Sequence, residues 1–401
     1  MSIKLGLQGV VWQSLAKLGS VGLGLWTTRM MLAGLTQEAM GIFYLLMAVF
    51  LVLDGVADGG TRFVGVAGWA ESKNKAKWLA TIFWARLILV GLGFAFGWWW
   101  TGVYTPLLAY KNEARIALSM IFFTSGAGLL ELWCQVQLKI WWKSIIEVLF
   151  SLLVALSMYF LGVRNLGFVY IIFLVSRIIS LALGWVLVNK ELELSVDWWK
   201  PDWREIKKLW KMAWPMGLYL LIFTSYDRAI DSLLISKFWN SGAVASYGLA
   251  YKVYGNLVLP VYFFMNTVFA KMASLKGKDL WLQVKKYLGV LVAMSLAIIL
   301  AVWLVSPTIL PWIWPNVPAD SVGILKILSL ALVFSAINHV LGFGLVGKGG
   351  QRKLLLLGIV SLSVNFVLNW LFIPHFGYWA AAWITILTEL AMSLGLLAIW
   401  L

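Results

Sequence analysis

About a dozen apolar stretches run through this chain, and its lysines and arginines collect in every second gap between them. A stretch of about 20 apolar residues is what a helix needs to cross the roughly 30 Å hydrocarbon layer of a bilayer. In that layer every backbone N–H and C=O must be bonded within the chain, which leaves the helix and the closed barrel. Continuous apolar runs, rather than alternating ones, predict helices. The first run extends from Val10 to Leu32, and others centre near Val52, Leu89, Phe122, Leu153, Phe173, Leu221, Leu257, Met294, Val333, Ser361 and Thr388. Hydrophobic residues make up 62% of the 401 residues and charged residues 12%, so little remains for a soluble domain. The predicted fold class is an all-α polytopic membrane protein with about 12 transmembrane helices.

The distribution of cations sets the orientation. One alternating set of gaps holds Lys4, Lys73, Lys75, Lys77, Lys139, Lys143, Lys190, Lys200, Arg204, Lys207, Lys208 and Lys211. It continues with Lys271, Lys276, Lys278, Lys285, Lys286, Lys348, Arg352 and Lys353. The other set holds little more than Lys111, Arg115, Arg164 and Lys237. Cytoplasmic loops carry the excess of lysine and arginine, so both termini are expected in the cytoplasm of a multi-pass plasma (inner) membrane protein. The same pattern explains the net charge of +15 without nucleic acid as a partner. Lys4 ahead of an apolar run resembles a signal peptide, but no small-residue cleavage site follows and Lys17 interrupts the run, so a retained first helix is expected.

Several chemistries are missing from the sequence. No phosphate loop of the Walker type is present. Cys134 is the only cysteine, and His339 and His375 are the only histidines, so neither a disulfide nor a cysteine–histidine metal site is expected. No nucleophile–base pair suggests itself. A transporter rather than an enzyme is expected, with no cofactor and no metal. Of the 26 tryptophans, Trp98, Trp99, Trp100, Trp141, Trp142, Trp312 and Trp314 fall at span ends, where interfacial belts account for them.

The longest outer gap runs from Ser306 to Asp320 and contains Pro307, Pro311, Pro315 and Pro318. The longest inner gap, Asn189 to Met212, mixes Trp198, Trp199, Trp203 and Trp210 with basic residues, as suits a helix on an anionic leaflet. It falls between two sets of six spans. The expected organisation is a lobe at 1–189, an amphipathic cytoplasmic linker at 190–212 and a lobe at 213–401. A weak repeat agrees with that split: Met40-Gly41-Ile42-Phe43-Tyr44-Leu45 and Val244-Ala245-Ser246-Tyr247-Gly248-Leu249 each open the second span of their half.

Three segments carry a resemblance to a known family. They are Arg29-Met30-Met31-Leu32 through Glu38 to Gly41-Ile42-Phe43; Asp58-Gly59-Gly60-Thr61-Arg62; and Trp214-Pro215 through Asp227-Arg228 and Asp231-Ser232 to Tyr247–Lys252. In span order nearly the whole chain resembles the polysaccharide (O-antigen type) flippases of the multidrug/oligosaccharidyl-lipid/polysaccharide (MOP) exporter superfamily. The resemblance implies two six-helix lobes around a central cavity. It also implies a polyprenyl-diphosphate-linked oligosaccharide as cargo, carried from the inner to the outer leaflet for surface polysaccharide biosynthesis. One departure is that the chain stops at Leu401 without a basic tail; with fourteen spans a lipid II-type flippase would be the closer relative.

Ionisable groups at membrane depth are costly and need a partner or a wet cavity. At about 1.5 Å per residue, Lys17 lies roughly 13 Å from the inner end of span 1 and Asp58 about 12 Å in on span 2, with Asp54 a turn deeper. Arg86 and Glu131 fall at comparable depth, Glu147 is shallower, and Arg177 is near the middle. Structural pairs Lys17–Asp58 and Arg86–Glu131 are expected on one reading. On the other, Lys17, Arg86 and Arg177 hold the diphosphate, with Arg29 and Lys252 as secondary contacts, since guanidinium matches phosphate oxygens in a fork. The two readings are compatible, an acid holding each cation until substrate displaces it. Asp227 and Asp231 share a face of span 7, where Asp231 either pairs with Lys252 or binds a coupling cation, H+ or Na+. Glu389 sits near mid-membrane with no evident partner. Asp54, Asp58, Asp227, Asp231 and Glu389 are thus the candidates for ion coupling or gating. Membrane lipids and the lipid-linked oligosaccharide are the expected partners, and a monomer the expected functional unit. Two other readings stay open: a cation-coupled multidrug antiporter of the same superfamily, kept alive by Asp54 and Asp58, and a membrane glycosyltransferase or polymerase.

Overall fold

The structure, a computed structural model, describes residues 3–400 except 73, 138, 140, 190–201, 225–228 and 276. Among the described residues there are helices and no strands. In chain order these are α1 (Ile3–Gly34), α2 (Gln37–Asp58), α3 (Thr61–Glu71), α4 (Lys75–Val103), α5 (Lys111–Val136), α6 (Trp141–Leu161) and α7 (Leu166–Asn189). Then come α8 (Trp203–Thr224), α9 (Ile230–Phe238), α10 (Ser241–Ser274), α11 (Gly277–Ile313), α12 (Asp320–Gly347) and α13 (Gln351–Trp400). Each apolar stretch read from the sequence lies on one of these helices. Eight helical stretches among the described residues are long and apolar enough to cross a membrane. One of them, α13, bends at Gly377 (φ 60°, ψ −145°) and so contains two of the expected spans.

Side-chain oxygens start several of the helices, satisfying N–H groups that have no partner within the helix. Thr36 Oγ1 accepts from Ala39 N (3.2 Å), Asn74 Oδ1 from Lys77 N (2.9 Å), Asn165 Oδ1 from Phe168 N (2.8 Å) and Asn240 Oδ1 from Ala243 N (2.8 Å). Asp202 caps α8 through Arg204 N (3.1 Å), and its other oxygen receives Lys77 Nζ at 2.8 Å. That bond from Lys77 holds the Asp202 carboxyl below the usual carboxylate range.

The chain divides into two compact units. Unit 1 comprises Met1–Ala39 and Leu46–Thr224, and unit 2 comprises Met40–Leu45 and Ser225–Leu401. In unit 1, α1 lies along α6, α5 packs on α4 and α7, and α8 is held by α3 and α4. Ile206, Leu209 and Ala213 bury one face of α8, while Trp203 and Trp214 are exposed. Residues 202–212 of the expected linker are therefore the capped first half of a helix that continues to Thr224; residues 190–201 lie outside the described residues.

Span 2 is a broken helix. It stops at Asp58, turns through Gly59 (φ 52°) and Gly60 (φ 76°), and restarts as α3. Both glycines adopt left-handed backbone that other residues disfavour. The turn also meets α8 backbone to backbone. A Cβ on Gly60 would lie 2.5 Å from Gly217 N, and one on Gly217 would lie 2.7 Å from the Gly59 carbonyl.

In unit 2, α12 is the hub, touching α10, α11 and α13. Val261, Met265, Val284, Leu291, Val340 and Leu341 are buried in its core. The first turns of α2 also belong here. A Cβ on Gly41 would overlap the Ser241 carbonyl, and one on Gly248 would lie 2.5 Å from Tyr44 Cγ. The two segments that the sequence pairs as repeats thus pack on one another. Pro307 and Pro311, expected in the outer gap, are inside α11 instead. A membrane helix tolerates proline where neighbouring groups re-satisfy the freed carbonyls.

Candidate functional site

Unit 1 contains a ladder of alternating charges that starts at the α2–α3 break. Asp58 is the last residue of α2, and its side chain is 6% exposed. It accepts a 2.8 Å bond from Arg86 Nη2 on α4, and Arg62 Nε on α3 stands 4.0 Å from the same oxygen. Arg62 Nη1 turns to Glu131 Oε2 on α5 at 3.1 Å, and Lys143 Nζ from the first turn of α6 reaches that oxygen at 2.6 Å. Gln135 Nε2 adds a 3.4 Å bond to Glu131 Oε1. The order is Lys143, Glu131, Arg62, Asp58, Arg86, with Asp54 a turn further along α2. Three cations therefore face three carboxylates.

The two ends of the ladder differ in exposure. Lys143 and Arg62 side chains are 35% and 32% exposed, Glu131 12% and Arg86 5%. The Arg86 guanidinium lies over Gly128 of α5, where a Cβ would come within 2.6 Å of Nη2. Its Nε and Nη1 are buried without a hydrogen-bond partner, and so is Asp58 Oδ2. Leaving buried polar groups unbonded costs about 1–3 kcal/mol each.

These contacts correct two expected pairs. The Lys17–Asp58 pair is not formed, because α1 lies along α6 and Asp58 is taken by Arg86 and Arg62. Arg86 bonds Asp58 and not Glu131, which is shared by Arg62 and Lys143. Position along each helix can be counted in the sequence, but not the direction each side chain faces. Lys17 and Arg29 are exposed on α1, and Lys252 is half-buried on α10. Arg177 on α7 holds Glu147 on α6 in a fork, Nη1 to Oε1 at 3.0 Å and Nη2 to Oε2 at 3.3 Å. Its Cζ stands 3.8 Å from the centre of the Phe150 ring, and its Nε is buried without a bond.

Unit 2 holds a second polar cluster, within an apolar core. Asp231 on α9 accepts from Tyr247 Oη on α10 and, at 2.8 Å, from Asn369 Nδ2 on α13. Asn369 Nδ2 also bonds Asn365 Oδ1 at 3.0 Å, and Asn365 Nδ2 reaches Thr388 Oγ1 at 3.5 Å. All five side chains are buried, and Asn369 Oδ1 has no donor. Asp227 lies outside the described residues. Glu389, expected to lack a partner, accepts from Asn338 Nδ2 at 2.6 Å, and Asn338 Oδ1 in turn accepts from Ser393 Oγ at 2.8 Å. His339 Nδ1 faces the Ser335 carbonyl at 2.8 Å. No group of three or more His, Cys, Asp or Glu suited to a metal occurs among the described residues.

Sequence reasoning missed Arg62 and Lys143 as members of the ladder and Gly128 as its floor. It also missed Tyr247, Asn365, Asn369, Thr388 and Asn338. The asparagines had a usable signal, since polar residues inside apolar spans mark buried networks.

No family model and no curated protein matches this chain. Solved structures do. The lipid II flippase MurJ in an inward closed conformation superposes with a TM-score of 0.80 at 14% identity, covering 97% of this chain and 87% of that one. A multidrug resistance MATE family transporter of the MOP superfamily in its inward-facing conformation gives 0.74 at 14% identity over 96% and 93%. A MOP superfamily transporter from Pyrococcus furiosus Vc1 (DSM3638), described as having a binding pocket of reverse polarity, gives 0.61 at 15% identity over 98% and 92%. The fold is therefore that of the MOP-superfamily transporters and flippases, none of these neighbours being an enzyme.

Proposed function

We propose that this protein is a flippase that moves a polyprenyl-diphosphate-linked oligosaccharide from the inner to the outer leaflet by alternating access. The observation that carries the reading is the placement of guanidinium groups at membrane depth with donors to spare. Arg86 keeps Nε and Nη1 unbonded, and Arg177 keeps Nε. Moving a diphosphate through a low-dielectric layer is the costly part of such a reaction. Fixed guanidinium groups offset that cost and match phosphate oxygens bidentately. Lys17, Arg29 and Lys252 complete the proposed contact set.

The acids have two roles in this reading. Asp58, Glu131 and Glu147 hold the cations while no cargo is present. Asp231, with Tyr247, Asn369, Asn365 and Thr388 around it, is the proposed site for the coupling H+ or Na+, and Asp227 and Glu389 are further candidates for coupling or gating. The protein works as a monomer in the plasma membrane with both termini in the cytoplasm.

A drug or organic-cation antiporter is the second reading, and one observation favours it. The ladder is charge-balanced, so unit 1 does not by itself present a net positive surface. Reconstitution separates the two. In proteoliposomes carrying a labelled polyprenyl-diphosphate oligosaccharide, the wild type is expected to move label across the bilayer, and Arg86→Gln and Arg177→Gln to slow it about tenfold or more. Absence of lipid movement, together with cation-coupled extrusion of an organic cation, would overturn the flippase reading.

A further inference from the structure

The ladder of unit 1 has properties that a purely structural ion-pair network does not need. Its inner end is under-bonded: Arg86 spends one of its three nitrogens on Asp58, while the other two, and Asp58 Oδ2, are buried with no partner. Asp58 ends α2 just before the first turn of α3, so one of its two oxygens is held by Arg86 and Arg62 while the other is left over. The outer end is reachable, since Arg62 and Lys143 are each about a third exposed and converge on a single oxygen of Glu131. The floor under Arg86 is the bare backbone at Gly128, where a Cβ would come within 2.6 Å of Nη2.

Resting on the flippase reading, we propose that Asp58 and Glu131 are built-in counter-ligands, and that Arg62, Lys143 and Arg86 form an exchange site for a diphosphate headgroup within unit 1. The headgroup meets Arg62 and Lys143 first and takes the place of the Glu131 carboxylate. It then reaches the unused nitrogens of Arg86 as Asp58 is released. Replacing one carboxylate by another oxyanion keeps each cation bonded throughout, and the released carboxylate is the group whose charge must then be neutralised, by uptake of a proton from the half-open Glu131 end. A charge-balanced ladder also explains how cations can wait at membrane depth in the absence of cargo.

The distinguishing consequence is a sign. If the acids compete with the ligand, removing an acid tightens binding. If they are only structural, removing an acid strands a cation and lowers stability with no gain in binding. The purified full chain in lipid nanodiscs is titrated with inorganic diphosphate and, separately, with a short-chain polyprenyl diphosphate, with thermal unfolding followed in parallel. Glu131→Gln and Asp58→Asn are expected to bind both probes about threefold or more tighter than wild type. Lys143→Gln, Arg62→Gln and Arg86→Lys are expected to bind about tenfold weaker, Arg86→Lys because it keeps the charge and loses the fork. Glu131→Gln, at the half-open end, keeps the test alive should Asp58→Asn fail to fold. Unchanged or weaker binding in Glu131→Gln overturns the exchange site. Diphosphate binding that is lost in Arg177→Gln but insensitive to Arg62, Lys143 and Arg86 overturns it too, and leaves the flippase reading standing. A wild type that binds neither probe, yet extrudes organic cations, overturns both.

Discussion

At the scale of single residues, glycine and one arginine carry much of the argument. Gly59 and Gly60 both hold positive φ, and Gly60 is required a second time by the touching backbone of α8. Gly60→Ala is expected to lower stability by about 1–3 kcal/mol, read as a fall in the thermal unfolding midpoint in detergent, with Gly19→Ala as the neutral control because nothing lies near that Cβ. Gly128→Ala has a different cause. Its Cβ would push on the Arg86 guanidinium, so the same loss of midpoint is expected to come with a loss of diphosphate binding, whereas Gly60→Ala moves stability alone.

At the scale of elements, the breaks in helices are where side chains from elsewhere intervene. In α13, Pro374 and Gly377 interrupt the backbone ladder, and Trp239 Nε1, just beyond α9, donates to the Ile373 carbonyl at 2.9 Å. The Trp239 ring lies where a Gly377 Cβ would be, 2.6 Å from its nearest atom, so the bend is filled by another element. Gly377→Ala combines that overlap with a backbone conformation reserved for glycine and is expected to cost about 2 kcal/mol or more, seen as faster amide exchange across residues 370–380. The start of α8 depends instead on Asp202 and Lys77. The Asp202 carboxyl titrates below its ordinary value, so its contribution is complete above the usual carboxylate range, near pH 4, and is lost as pH falls through the depressed value. Amide exchange at Arg204 and Glu205 should accelerate over that acid range, and in Asp202→Asn it should be fast at neutral pH.

At the scale of the whole molecule, α2 takes part in both units, its first turns in unit 2 and the rest in unit 1. The proposed alternating access would require such a helix to change partners or to bend. Cys134 is the only cysteine, so a Cys134→Ser background permits a clean test. Tyr44 Cβ lies 2.7 Å from where a Gly248 Cβ would be, so Tyr44→Cys with Gly248→Cys is expected to cross-link once the two backbones part by about 1 Å, and to stop transport until reduced. Full transport by the cross-linked protein would mean that α2 moves with unit 2. Reporter fusions at each terminus should both report cytoplasm, as the lysine-rich gaps require.

Much of this molecule was legible in one dimension. The apolar runs located the long helices, because hydrocarbon admits little else, and the alternation of lysine-rich gaps is the basis for the direction proposed for them. The break after Asp58 was not foreseen, although Gly59-Gly60 stands in the sequence at that point. Partnership was not legible. Arg86 was matched with Glu131 and Lys17 with Asp58 because their depths agree, but depth says nothing of which way a helix is turned or which helix is its neighbour. Only packing decided that Arg86 points over Gly128 to Asp58, and that Glu131 serves Arg62 and Lys143. Charge and hydropathy are properties of residues and so can be read along a chain; an ion pair is a property of two helix faces, and those exist only once the helices have packed.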